Sequence, residues 1–164
     1  MLLQDVVQKT EDIISTLITS LDEEGVDGFF NDPDAIKKHL KIEEKDIQEL
    51  NDESVFYCKH KDWEHAIAAL SWLTFFEPVN SDHFLRLGSV LLLAKEYDAA
   101  IKVLGNGFYL DSKNPTFALY IGQCLQSLGS KDAAKEVFQE CIDLSQNNSD
   151  YKHIFNLASE ALHT

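Results

Sequence analysis

The sequence predicts an all-α fold in which a pair of helices recurs along the chain. Residues of similar size recur 34 residues apart, as in Leu87-Gly88 and Ile121-Gly122. Apolar residues follow the spacing of amphipathic helices, with recurrence at i, i+3 and i+4. Short segments rich in charged residues or containing glycine interrupt this spacing where a turn between two helices is expected. Together these observations predict stacked helical hairpins.

Three copies of the repeat can be placed on the chain. The second and third are aligned by three further pairs: Leu91 with Leu125, Ala100 with Ala134, and Leu104 with Phe138. One period earlier, residues of the expected size stand at Leu50, Ser54, Tyr57, Trp63, Ala66, Leu70 and Pro78. The copies cover 47–80, 81–114 and 115–148. This pattern resembles the tetratricopeptide repeat, which implies three repeats in a right-handed solenoid.

Each copy is expected to contain two antiparallel helices joined by a short turn. The turns are expected at 60–62, 94–96 and 129–131, and Asn114 before Pro115 indicates a helix start. Small residues are expected where the two helices of a hairpin cross closely. On the first helix these are Ser54, Gly88 and Gly122; on the second they are Ala66, Ala100 and Ala134.

Further helices are expected at both ends of the repeats. Residues 150–163 predict a capping helix, with Ile154, Ala158 and Leu162 on one face. An N-terminal helical extension is expected over 1–46, with a short helix ending near Leu40, and the repeat domain over 47–164. The extension begins with an amphipathic helix whose apolar stripe is Leu3, Val6, Val7, Ile13, Ile14, Leu17, Ile18 and Leu21.

Composition narrows the possible partners. The chain has 164 residues and a formal net charge of −14, which would repel nucleic acid and anionic membranes. It has no basic leader and no apolar stretch long enough to span a bilayer. Its three cysteines, Cys58, Cys124 and Cys141, are widely spaced, which is typical of a reducing compartment. We therefore expect a cytosolic protein.

The first helix of each repeat is expected to line a concave groove. Its predicted lining is mixed, neutral and partly apolar: Gln48, Asn51, Val55, Cys58, Asp82, Leu85, Arg86, Ser89, Leu92, Thr116, Leu119, Tyr120, Gln123 and Gln126. The helix starting near Ser81 is apolar almost all the way round, so Leu85 and Leu92 require a cover. An extended apolar peptide is the expected cover, with Asn51, Tyr120, Gln123 and Gln126 bonding its backbone.

A more specific resemblance lies in the third repeat. The segment Asn114-Pro115-Thr116-Phe117-Ala118-Leu119-Tyr120-Ile121-Gly122-Gln123-Cys124, followed by Ala133-Ala134-Lys135-Glu136-Val137-Phe138, resembles the class II chaperones of bacterial type III secretion. This resemblance implies a cytoplasmic bacterial chaperone whose groove holds an N-terminal segment of hydrophobic translocator proteins. It also implies a homodimer formed through the N-terminal stripe. The family often has tyrosines in the first-repeat groove, where this chain has Asn51, Val55 and Cys58.

Other protein-binding interpretations remain open. The N-terminal extension could fold across the groove and fill it. The chain could instead be a scaffold subunit of an unrelated complex. A clamp for a peptide's terminal carboxylate needs a lysine cluster on the concave face, where the sequence places only Asn51 and Arg86.

Catalysis is not predicted. The histidines fall in no metal-ligand spacing, and the cysteines form no paired motif. The sequence has no glycine-rich phosphate loop, and its carboxylate runs are those of solvated helix ends. We therefore predict no catalytic residue, no metal site and no cofactor.

Overall fold

The computed structural model describes residue 32 and residues 34–163. These residues form eight α-helices and a short 3-10 helix, with no strand among them, which confirms the all-α prediction. They fall into two compact units, one ending at Val79 and the other beginning at Asn80. The predicted N-terminal stripe, from Leu3 to Leu21, lies outside the described residues.

The first unit contains a short helix and the first helical hairpin. Its helices are α1 (Ala35–His39), α2 (Glu44–Lys59) and α3 (Trp63–Phe76). At the start of α2, the backbone N–H of Glu43 donates to Oδ2 of Asp46 at 2.9 Å. The side chain of Asp46, in the first turn, therefore caps the N-terminus of this helix. The hairpin closes over an apolar core whose members are Ile47, Leu50, Ala66, Ala69, Leu70, Leu73 and Phe76.

The second unit contains two further hairpins and a terminal helix. Its helices are α4 (Ser81–Leu93), α5 (Tyr97–Leu110), α6 (Pro115–Ser127), α7 (Lys131–Ser145), a 3-10 helix (Ser149–Tyr151) and α8 (Lys152–Leu162). Consecutive α-helices in this unit pack against each other, and α4 also contacts α6. Ala158 is fully buried, and Ile154 and Leu162 pack on the same core cluster, which confirms the predicted capping helix.

An asparagine recurs every 34 residues and precedes α4, α6 and the 3-10 helix. Backbone N–H groups two residues later donate to the Oδ1 atoms of Asn80, Asn114 and Asn148 at 3.2, 3.1 and 2.9 Å. Each side chain thereby satisfies a donor that the first helical turn leaves unpaired. The repeat period is thus visible in the caps as well as in the core.

Glycines allow the close helix crossings, and the side chains nearest to them are large. A Cβ atom built on Gly88 would lie 2.4 Å from the side chain of Leu104, and one on Gly122 would lie 2.5 Å from Phe138. The predicted partners, Ala100 and Ala134, are buried one turn earlier. The large residue therefore faces the glycine and fills the space that its missing side chain leaves.

The hairpin turns share one backbone conformation. Lys61, Lys95 and Gly129, again 34 residues apart, have φ of +57°, +66° and +79°. In each turn the backbone N–H of the next residue donates to the carbonyl oxygen five residues before it. The N–H of Glu96, for example, donates to the carbonyl oxygen of Leu91 at 2.9 Å. These are Schellman ends, a conformation that glycine adopts without strain. The third turn occupies 128–130, one residue before the predicted place, since α6 ends at Ser127.

Candidate peptide-binding surface

In the first unit, the predicted groove residues lie along α2. Val55 is 37% exposed, and Asn51 and Cys58 are partly buried. Ser54 between them is fully buried, and its hydroxyl donates to the carbonyl oxygen of Asn51 at 2.7 Å. The helix therefore turns Ser54 towards the core and leaves Val55 available to solvent.

Aromatic and histidine side chains surround the end of α2. Phe56 is 55% exposed and lies against the ring of His60, while Tyr57 stacks on His65 at 5.0 Å between ring centroids. Nδ1 of His65 lies 2.9 Å from the Asp62 carboxylate. This hydrogen bond raises the pKa of His65 and lowers that of Asp62. Phe56, which was not among the predicted groove residues, is the more exposed of the two aromatic side chains of α2.

In the second unit, α4 offers an apolar surface. Leu87, Val90 and Leu91 are buried, whereas the predicted groove residues Leu85, Arg86, Ser89 and Leu92 are all partly exposed. Leu93, at the end of the helix, is 60% exposed. The sequence showed that α4 is apolar on nearly every side, and the structure shows which side remains open within this unit.

Helix α6 adds polar groups next to α4. The predicted residues Tyr120, Gln123 and Gln126 are partly exposed. Leu119 differs: its side chain is 1% exposed and belongs to the core cluster with Ala118, Phe138 and Cys141. Its assignment to the groove stays a prediction, and we leave it out of the surface considered below.

We call the partly exposed set on α4 and α6 the α4–α6 surface: Leu85, Arg86, Ser89, Leu92, Tyr120, Gln123 and Gln126. These residues include one cation and no carboxylate, in a chain with a net charge of −14. Apolar side chains and side-chain amides on the same surface suit an extended peptide, which presents both apolar groups and backbone donors and acceptors. The surface thus offers groups suited to binding a peptide.

Comparisons with known proteins agree with the helical-repeat fold. The sequence model of the tetratricopeptide repeat matches residues 121–148. The chain is similar to the Yersinia enterocolitica type III secretion translocator chaperone SycD, solved as an alternative dimer, with 23% identity, 74% of this chain and 92% of that chain covered, and a TM-score of 0.70. The chain has the fold of a translocator chaperone. The family resemblance read from the third repeat is therefore confirmed at the level of the fold.

Two further solved structures are similar to this chain in fold. SycD in complex with a peptide of the translocator YopD is matched at 23% identity over 74% of this chain and 93% of that chain, with a TM-score of 0.70. A type III secretion complex from Aeromonas hydrophila is matched at 17% identity over 84% of this chain and 92% of that chain, with a TM-score of 0.77. No curated protein matches the sequence.

Two of the three cysteines, Cys124 and Cys141, are buried in the second unit. Burial raises the pKa of Cys124 to about 11, and likewise that of Cys141. Sγ of Cys141 lies 3.3 Å from the carbonyl oxygen of Pro115, which ties α7 to the start of α6. Among the described residues, no three or more His, Cys, Asp or Glu side chains are grouped to hold a metal ion.

No helix in the described part of the chain combines the length and the apolar character needed to cross a membrane. Helices α3 and α4, for example, have only 14 and 13 residues. A helix needs about 20 apolar residues to span a bilayer. The apolar residues of α3 and α4 instead form the repeat cores and the exposed part of α4.

Proposed function

We propose that this protein is a bacterial cytoplasmic chaperone for hydrophobic translocator proteins of type III secretion. It binds an extended apolar segment of the translocator, keeps that protein soluble, and keeps different translocators apart before secretion. The observation that carries the proposal is the similarity to SycD, whose structure has been solved with a peptide of the translocator YopD. The α4–α6 surface supplies matching chemistry in this chain.

The physical argument starts from Leu85 and Leu92 on α4. They are seven residues apart, which is two helical turns, so both lie on one side of the helix. Their partly exposed side chains are available to apolar residues of a client. Gln123 and Gln126 on the neighbouring α6 can pair with the client's backbone groups, which would otherwise lose their hydrogen bonds to water.

Residues of the first repeat and of the N-terminal extension belong to the same proposal. Asn51, Val55 and Cys58 remain predicted groove positions, and their side chains are smaller than tyrosine. The extension at 1–46 is proposed to contribute the dimer interface, and the repeats at 47–164 the client groove. A translocator segment apolar enough to enter a bilayer would aggregate in the cytoplasm unless it were covered. Covering that segment is enough to keep the translocator soluble before secretion.

The test is co-expression of the full chain with a membrane-inserting translocator, followed by affinity purification. We expect a soluble complex, and limited proteolysis should leave one short client segment near its N-terminus protected. The control is the Leu85→Glu/Leu92→Glu variant, which should fail to keep the translocator soluble. No complex with any translocator would contradict the proposal. A stoichiometric complex with an unrelated protein that never releases would identify a scaffold subunit instead.

A further inference from the structure

A small open pocket lies at the C-terminal end of the second unit. Its lining comes from three helices: Gln126 of α6, then Lys131, Ala134, Lys135 and Phe138 of α7, and Ala161 of α8. The pocket volume is about 70 Å³. We call it the end pocket. It shares Gln126 with the α4–α6 surface, so it adjoins the proposed client site.

The two lysines give the pocket its charge. Lys131, Ala134, Lys135 and Phe138 are spaced i, i+3, i+4 and i+7, which places them on one face of α7. Both lysines are exposed, and neither forms an ion pair within the part of the chain that the structure describes. The acidic neighbours on α7, Asp132 and Glu136, follow the lysines by one residue and do not line the pocket.

The rest of the lining is apolar apart from Gln126. Ala134 and Phe138 are 2% and 1% exposed, so they contribute only small apolar areas, and Ala161 is the third apolar residue of the lining. A volume of about 70 Å³ is far below the roughly 300–1,000 Å³ of small-molecule sites. It suits the end of one side chain. Two cations and an amide donor beside apolar lining residues select a carboxylate carried on a short methylene stem.

We propose that the end pocket binds the side-chain carboxylate of an acidic residue in the client, next to an apolar residue that contacts the α4–α6 surface. As a statement about the client, the inference rests on the proposed chaperone function. It adds a charged specificity element to a surface that otherwise offers apolar side chains, side-chain amides and one cation. A protein with a net charge of −14 repels acidic segments in general. A local pair of lysines would therefore favour clients that carry an acidic residue at the one position that reaches the pocket.

The binding test uses a defined peptide rather than the client. Full-length ¹⁵N-labelled protein is titrated with the pentapeptide Ala-Leu-Glu-Leu-Ala, acetylated and amidated at its ends. Two comparison peptides replace glutamate with glutamine, one with an amidated end and one with a free terminal carboxylate. We expect the glutamate peptide to shift the side-chain amide of Gln126 and the backbone amides of Lys131 and Ala161. Its affinity should exceed that of the amidated glutamine peptide at least fivefold and should fall with added salt.

Variants separate the pocket from overall charge. Lys131→Gln/Lys135→Gln should abolish the advantage of the glutamate peptide. Lys102→Gln/Lys113→Gln removes the same charge from two exposed lysines that do not line the pocket, and should leave that advantage unchanged. Ala161→Leu fills the pocket and leaves both lysines in place. It should weaken binding of the glutamate peptide.

Each outcome has a distinct meaning. Equal affinity for glutamate and glutamine peptides, or no shift at Gln126, overturns the end-pocket inference even if a translocator co-purifies. Preference for the free terminal carboxylate also overturns it, because the pocket would then recognise a chain end. A glutamate preference that needs Lys131 and Lys135 supports it even if no translocator complex forms, and in that case only the proposed function fails.

Discussion

Gly122 shows how one residue sets the distance between two helices. The space that its Cβ would need is occupied by the ring of Phe138, and Phe138 is 1% exposed. A well-packed interior has no free volume into which the ring can move. The small residue at this repeat position is therefore a packing requirement. Gly107 is under the same constraint, since its Cβ would meet Phe117 and Phe84.

Gly122→Ala should therefore lower the free energy of unfolding by about 1–3 kcal/mol, the usual cost of overpacking a core. Gly105→Ala is the matched control. Gly105 lies inside α5, and a Cβ added there would meet nothing within 4 Å, so alanine should stabilise the helix by about 0.5–1 kcal/mol. Urea denaturation followed by circular dichroism measures both. A Gly122→Ala variant that is as stable as the unmodified protein would mean that the crossing is not as tight as described.

The cysteines allow a second test at the scale of single residues. A thiol with a pKa of about 11 is ionised in about one molecule in a thousand at pH 8, and only the thiolate reacts with alkylating reagents. Cys124 and Cys141 are also fully buried, whereas Cys58 is partly exposed. Iodoacetamide at pH 8 should modify Cys58 alone in the native protein and all three thiols in urea. Mass spectrometry of tryptic peptides distinguishes these results.

At the scale of the helix, the three hairpin turns share one conformation but not one residue. Two of the three left-handed positions hold lysine, and only the third holds Gly129. The pattern of apolar and charged residues located these turns within one residue. The left-handed backbone itself could not be read from lysine, a residue that seldom adopts it. The Schellman hydrogen bonds, formed across each helix end, impose that conformation.

Lys95→Gly should consequently stabilise the second unit by up to about 1 kcal/mol, since glycine removes the strain of positive φ and loses some of that gain to its flexible unfolded state. Gly129→Ala should destabilise the same unit by about 1 kcal/mol for the opposite reason. Thermal unfolding of both variants gives the comparison. Destabilisation by Lys95→Gly would show that the lysine side chain contributes more than its backbone strain costs.

Helix α4 also carries a prediction about binding. Leu85→Glu and Leu92→Glu place charges on its partly exposed face, so a client's apolar residues should no longer bind, while helicity is kept. Leu87→Glu is the contrasting variant, because Leu87 is buried and its replacement should unfold the unit. Circular dichroism and co-purification of a translocator separate the two effects. Unfolding by Leu92→Glu would mean that this face belongs to the core.

At the scale of the whole molecule, the net negative charge opposes self-association, whereas the apolar N-terminal stripe favours it. A net charge of −14 disfavours association, yet eight apolar side chains at helical spacing need a cover. A second copy of the chain provides a self-complementary cover. Removal of residues 1–22 should then convert dimers to monomers in sedimentation velocity. An unchanged sedimentation coefficient would refute the dimer predicted for this stripe.

The sequence by itself determined the helical hairpins, their period and the terminal cap. These features follow from local spacing of apolar residues and from turn residues, which act within a few positions of the chain. It also indicated the translocator-chaperone resemblance through the third repeat, and the fold comparisons agree.

Only the tertiary structure decided which of these side chains remain available. Leu85 and Leu119 occupy equivalent repeat positions, but Leu85 is partly exposed and Leu119 is buried in the cluster that the last helix completes. Burial depends on what packs above a residue, and that neighbour is distant in sequence. The end pocket has the same origin, because Gln126, Lys131 and Ala161 meet only when α8 closes the unit.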